Sequence, residues 1–423
     1  MPEKRRSLLR HHDFVQLWTA ETISQIGSQV SLLALPLVAI TMLHVTTFQV
    51  GALTAVEFSP FVLFGLPAGA IVDRLPRRLV LVTSDTGRAL ALASIPAAYA
   101  FDVLTYGQLV CVVFVTGTLT VFFDVAYQSI LPALVERDQL ADGNAKLEIS
   151  RSAAQTAGPG IAGFLIQLIG AATAVIVDAA SFVVSALFIR NIRAKELPID
   201  PVDDTEGRLR TLGREIREGL HYVLGHRVLR MIAGSTATSN FFSSMSMAVF
   251  LLYAVRERGY SAGIVGLIFA IGNLGAIVAA ITVERITVVT KLGPAIILGM
   301  LLSQVGLLLL GIAPTAHAAA YFVVAWVLFG FGGVLYNIDQ VSLRQAITPH
   351  RMQGRMNASM RFMVWGTMPF GSLAGGVLGT AIGLRPTLLV AGVCGMLAVL
   401  WLLVRPVRSL VAIPSVQVAP DAA

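Results

Sequence analysis

Long apolar runs separated by short polar ones set the pattern of this chain. A bilayer core needs about 20 mostly apolar residues per helix. Runs of about that length fall at 14–43, 47–72, 79–100, 108–131, 153–169 and 172–189. After a polar stretch they resume at 231–255, 264–283, 295–312, 318–341, 362–382 and 387–404. The pattern predicts an all-α membrane protein with twelve transmembrane helices in two sets of six. The fifth and sixth runs are short and are joined only by Gly170-Ala171.

Composition agrees with the pattern. Of 423 residues, 56% are hydrophobic and only 13% charged, with a mean hydropathy of +0.77. A soluble domain carries about a quarter charged residues, so this chain lacks the polar surface to wrap its apolar content in water. The 38 glycines suit close helix approach within a membrane. Cys111 and Cys394 both lie in apolar runs, which excludes a disulfide framework and a cysteine metal cluster.

The net charge of +7 comes from short basic clusters between apolar runs, with no basic stripe that would bind nucleic acid. Lys and Arg concentrate in the loops on the cytoplasmic side of a membrane. With the N-terminus placed inside, 27 of the 31 Lys and Arg residues fall on that side, and only Arg256, Arg258 and Arg385 fall outside. The basic start, Lys4-Arg5-Arg6, leads into a run too long for a signal peptide and reads as an uncleaved cytoplasmic end. Both termini are therefore expected in the cytoplasm, with the chain multi-pass in the cell membrane.

The two halves also resemble each other. Asn144-Ala145, Gly158 and Gly163 recur as Asn357-Ala358, Gly371 and Gly376, all displaced by 213 positions. The expected organisation is a six-helix bundle over 1–189, a linker over 190–230, a second bundle over 231–404 and a tail over 405–423. The linker holds an acidic patch (Asp200, Asp203, Asp204, Glu206) and then an amphipathic pattern with Leu209, Leu212, Ile216, Leu220, Val223 and Leu224 on one face. Such a helix either lies on the membrane surface or packs against the bundles.

Charges inside a membrane are costly, so each needs a reason. The candidates are Glu21, Glu57, Asp124, Asp178 and Asp339, with Arg88 the basic one. In the first span, Glu21, Ser24, Gln25, Ser28 and Gln29 form a polar stripe at three-to-four spacing, which faces either water and substrate or an interhelical network. Asp124 is expected to pair with Arg88 or Arg151, as an exchanging proton site or as a static bridge. Glu57 is a second candidate for the proton, and Asp178 reads as a structural partner on a peripheral helix. The seventh span offers Thr236, Ser239, Asn240 and Ser243 on one face beside Phe241 and Phe242, and later spans add Trp326, Tyr336, Asn337 and Trp365. Aromatics with few polar groups suit bulky amphipathic ligands.

The loop after the second span reads Gly69-Ala-Ile-Val-Asp73-Arg74-Leu-Pro76-Arg77-Arg78. Gly69 would permit close helix approach, Asp73 could pair at the interface, and the arginines could anchor to anionic lipid. This loop resembles the signature G-x-x-x-D-R-x-G-R-R of the major facilitator superfamily, with Pro76 where the family usually has Gly. The fifth span carries Gly158-Pro159-Gly160-Ile161-Ala162-Gly163, where small residues thin the helix and proline loosens its ladder. It resembles the Gly-Pro motif of drug:proton antiporters in that superfamily. The stretch from Phe122 through Gln128-Ser129 to Pro132, followed by Asn144-Ala145, is similar to the transmembrane secretion effector branch, which includes macrolide-efflux and siderophore-export proteins.

The resemblance runs along the whole chain and implies two six-helix bundles around a central cavity, with the first, fourth, seventh and tenth spans lining it. Glu21, Gln25 and Gln29 would then face substrate, the loop at Asp73 would act as an inner gate, and transport would run outward against protons. One departure is the fourth span, which lacks the Arg that many drug:proton antiporters place there. Arg88 or Arg151 would have to stand in. No phosphate-cradling G-x-x-x-x-G-K-[ST] occurs, and neither H-E-x-x-H nor G-x-S-x-G. The expectation is a non-enzymatic, monomeric exporter of small amphipathic molecules that needs no cofactor. Its rivals are an importer on the same fold and a non-transporting membrane sensor.

Overall fold

The computed structural model describes residues 8–65, 67–72, 74–136, 139–194 and 205–412. In the first half the helices are α1 (His12–Leu37), α2 (Thr47–Phe64), α3 (Pro67–Val72), α4 (Arg77–Ala100), α5 (Tyr106–Leu134), α6 (Leu140–Ile169) and α7 (Ala171–Arg190). In the second they are α8 (Thr205–Gly225), α9 (Arg227–Leu252), α10 (Ala262–Thr290), α11 (Leu292–Ile312), α12 (Ala318–Ile347), α13 (His350–Trp365), α14 (Met368–Ile382), α15 (Leu384–Gly395) and α16 (Leu397–Leu402). Large apolar side chains such as Val288 and Val289 (77% and 82% exposed) point outward, as a lipid solvent requires.

Among the described residues, nine helical stretches are long and apolar enough to cross a membrane. The other three spans of the twelve are α4, α6 and α14. α4 carries Arg77, Arg78, Asp85 and Arg88, which lower its hydropathy. α6 starts well before the apolar run, because Leu140–Ser150 adds polar turns in which Lys146 bonds Asp142 at 2.6 Å. α14 is short because the run expected from 362 breaks at Gly366-Thr367, just before Pro369 removes a backbone donor. The expected second span breaks in the same way, between the end of α2 and Pro67.

The duplication is written in the backbone. α1 ends in a π-turn over Val38–Met42, and α9 continues into one over Tyr253–Glu257. Leu43 N donates to Val38 O (3.2 Å) and Arg258 N to Tyr253 O (3.1 Å). Left-handed residues follow at His44 and Gly259. At the other internal turn, Gly170 (φ 82°) and Gly383 (φ 90°) hold matching positive-φ junctions between consecutive helices. A side chain there would be strained, which explains a glycine at both positions.

The chain divides into two compact units, Met1–Val202 with Leu251–Ala270, and Asp203–Phe250 with Ile271–Ala423. In the first, α1 packs on α6 and α7, and α4 on α5 and α7. Gly27 lets α1 approach α7 so closely that a Cβ there would lie 2.6 Å from Ser181 Cβ. In the second, α11 packs on α12 and α15. The amphipathic α8 also belongs to this unit and packs on α13: Arg355 bonds Glu218 at 2.5 Å, Tyr222 Oη donates to Ile347 O at 3.3 Å, and Val223 is fully buried. Asp200, Asp203 and Asp204 of the acidic patch and the side chains of Glu206, Leu209, Leu212 and Ile216 lie outside what is described.

Candidate functional site

The first unit holds its polar residues where α1, α4, α5 and α7 meet. On α1, Glu21 is 7% exposed; its Oε1 accepts from Gln25 Nε2 at 2.7 Å, while Oε2 is buried without a partner. On α4, Arg88 is 5% exposed and pairs with Asp85 one turn earlier, which is fully buried. Arg88 Nη1 donates to Thr120 Oγ1 of α5 at 3.3 Å. Its guanidinium is sandwiched between Phe123 (4.3 Å) and Phe182 (4.1 Å). Two aromatic faces and a carboxylate thus replace the water this cation would otherwise need.

Asp124, half-buried on α5, lies within electrostatic range of Glu21 and Tyr127. Asp178 of α7 is 2% exposed, so the helix expected at the periphery turns this carboxyl inward. Glu57 stands apart on α2, where that helix meets Gly117 of α5. Asp85 is absent from the sequence-based candidates. Its signal was available, a carboxylate three residues before an arginine in one apolar run.

The Gly158-Pro159-Gly163 stretch packs closely on two sides. A Cβ at Gly158 would lie 2.6 Å from Gln29 Cβ of α1. One at Gly163 would lie 2.6 Å from Ala262 O and 2.9 Å from the Gly266 Cα of α10, all within the first unit. Elsewhere in the first unit, Arg256 donates to Ile40 O (3.1 Å) and Val45 O (2.9 Å), capping carbonyls at the π-turn of α1. The signature loop is described in part. Gly69 faces open space, so it serves no close helix approach here, contrary to its sequence reading. Asp73 lies outside the described residues. Arg74 is exposed, Arg77 is half-buried, and Arg78 donates to the Arg190 carbonyl, capping the C-terminal end of α7.

In the second unit, Asn240 Nδ2 donates to Val364 O at 3.2 Å, beside Trp365, whose ring lies under Arg361 at 5.4 Å. Phe241 and Phe242 form an edge-on pair at 5.1 Å, and Asn337 accepts from Gln340 at 3.0 Å. Tyr336 differs from its sequence reading as a ligand-facing aromatic. It is 5% exposed, belongs to the packed core, and its hydroxyl meets Thr236 Oγ1 at 2.6 Å. Asp339 accepts both contacts from Thr287, at 2.9 and 3.1 Å. Buried Gln304, which hydropathy did not single out, donates to Ser239 at 2.8 Å.

A family model described as "Major Facilitator Superfamily" matches residues 17–365 and 232–420. The chain belongs to the Major Facilitator Superfamily. It is a multi-pass membrane transporter and no enzyme, built on the twelve-helix facilitator fold. Superfamily relatives include "Multidrug efflux pump Tap" of Mycolicibacterium fortuitum, 28% identical over 78% of this chain and 80% of the relative. "Enterobactin exporter EntS" of Citrobacter koseri is 25% identical over 83% and 82%. A match to "Uncharacterized MFS-type transporter YkuC" of Bacillus subtilis, 26% identical, spans only 52% of each chain. Among solved structures, a bacterial homologue of the iron transporter ferroportin in an inward-facing state superposes with a TM-score of 0.74. It covers 94% of this chain and 98% of that one, at 17% identity, and shares the fold.

Proposed function

We propose that this facilitator exports small amphipathic molecules, of the drug, macrolide or siderophore kind, by proton antiport with alternating access. It would belong to the transmembrane secretion effector branch and sit in the cell membrane with both termini cytoplasmic. The observation that carries the coupling is the polar face of α1, where Glu21 keeps one buried carboxylate oxygen unpartnered beside half-buried Gln25 and Gln29. An unsatisfied carboxylate in a membrane helix is costly and marks a functional position. Asp124 and Arg88, both within electrostatic range of Glu21, complete a group able to exchange a proton. Export as the direction rests on Tap and EntS, both named as exporting proteins and each matched over about four fifths of this chain.

Asn240, Phe241, Asn337 and Trp365 of the second unit are the residues proposed to meet substrate there. Few polar groups among aromatic rings suit an amphipathic guest. The test is transport in proteoliposomes under an imposed pH gradient, with a macrolide, a catecholate siderophore and a cationic dye as probes in sodium-free buffer. Movement of a probe opposite to the proton gradient is the expected result. Movement along with protons would establish the importer instead.

A further inference from the structure

We propose that Asp178, buried between α7 and α1, is a proton-binding site of this transporter, beside the Asp85–Arg88 pair. The inference rests on the antiport reading above and names a group that reading does not use.

The geometry begins with charge. Arg88 is committed to Asp85, to Thr120 and to two aromatic faces. Asp178 therefore has no cation of its own, and no ion pair involving it occurs among the described residues. It is nonetheless 2% exposed and lies against the α1 backbone, where a Cβ at Gly27 would come within 2.9 Å of its Oδ1. The charged group within electrostatic range of Asp178 is Arg88 of α4, which also acts on Asp85 of the same helix and on Glu21 of α1; Asp124 and Tyr127 of α5 stand toward Glu21. On α6, Arg151 and Glu148 stand toward Tyr127. Glu21, Asp85 and Asp178 thus share the neighbourhood of one buried guanidinium, and a buried excess of negative charge is balanced most cheaply by protons.

Hydrogen bonding points to Asp178 as the group that takes one. Ser181 Oγ lies 2.8 Å from the Asp178 backbone carbonyl and 3.2 Å from its carboxyl Oδ1. A serine has one proton to give. If that proton goes to the carbonyl at the shorter distance, Ser181 can still accept from a protonated Asp178 carboxyl. Ser28 and Ser31 of α1 reach the same carboxyl as hydrogen-bonding hydroxyls. Ser185, fully buried, serves the Asp85 carboxyl in the same way. Hydroxyls donate or accept, so this lining serves a carboxyl in either charge state. Glu21, Ser24, Ser28 and Ser31 follow one another along α1 at three-to-four spacing, which joins the polar stripe to the buried site. Binding a proton at Asp178 forms one O–H bond and removes one negative charge; nothing else is consumed.

The experiment is infrared difference spectroscopy on the full-length reconstituted protein between alkaline and acidic pH, in sodium-free buffer. The expected result is a protonated-carboxyl carbonyl band that Asp178→Asn removes. In the same variant, uptake of the cationic dye driven by a pH gradient is expected to fall about tenfold or more, within the usual range of coupling between sites. A band unchanged by Asp178→Asn, gradient-driven uptake at the wild-type level, or loss of the band on adding sodium would overturn the assignment. Should Asp178→Asn fail to fold, Ser181→Ala replaces it. That variant keeps the charge and removes one hydrogen-bond partner, so the band is expected to move, and a band that stays in place refutes the assignment. If the wild-type protein ignores the pH gradient altogether, the antiport reading fails, and the infrared band still decides Asp178 alone.

Discussion

Replacing Arg88 with methionine removes the charge at the centre of the first bundle and keeps most of the apolar stem. Asp85 is fully buried and pairs with Arg88, so the variant leaves an uncompensated carboxylate. Breaking a buried pair in this way costs about 3–5 kcal/mol. Two further losses are the cation–π contacts to Phe123 and Phe182, each worth about 2 kcal/mol at a desolvated site. Adding Asp85→Asn removes the stranded charge, so the double variant should retain only the stacking loss, about 4 kcal/mol. The double-mutant cycle should therefore give a coupling of at least about 2 kcal/mol. Reversible unfolding of the purified protein in mixed micelles, followed by tryptophan fluorescence, measures all four corners. A double variant as unstable as Arg88→Met alone would refute the pairing as the source of the effect.

Gly163→Val places a branched side chain against the backbone of Ala262 and Gly266, neither of which can turn aside; a loss of about 1–3 kcal/mol is expected in the same unfolding assay. Tyr336→Phe removes the hydroxyl held by Thr236 and should cost about 1 kcal/mol while changing dye affinity little, since the ring sits in the packed core. Gly170→Ala forces a side chain into a positive-φ junction and should cost about 1–2 kcal/mol; an unchanged midpoint would contradict the strain.

Much of the fold was legible in the sequence because apolar run length reports directly on bilayer thickness. The breaks at Gly65–Pro67 and at Gly366-Thr367 were not, since hydropathy averages over a proline that removes one backbone donor. Part of the site was also legible. The stripe from Glu21 to Gln29 and the buried Arg88 both stood out as polar groups in apolar runs. Hydropathy does not give the rotation of a helix about its axis, and this is why Asp178 read as peripheral although α7 turns it toward α1. Rotation likewise sets Tyr336, whose ring faces the core between α9 and α12. Asp85 was passed over because it sits early in a run already interrupted by Arg88, where one more charge barely alters the average.

Exchange of outgoing substrate for incoming protons can be read directly. Liposomes containing the protein and a pH-sensitive dye, with sodium absent and a substrate gradient imposed across the membrane, report proton movement directly. Antiport requires proton flow opposite in direction to substrate flow, abolished in protein-free liposomes. Substrate movement with no proton flow, or with protons travelling in the same direction, would contradict it.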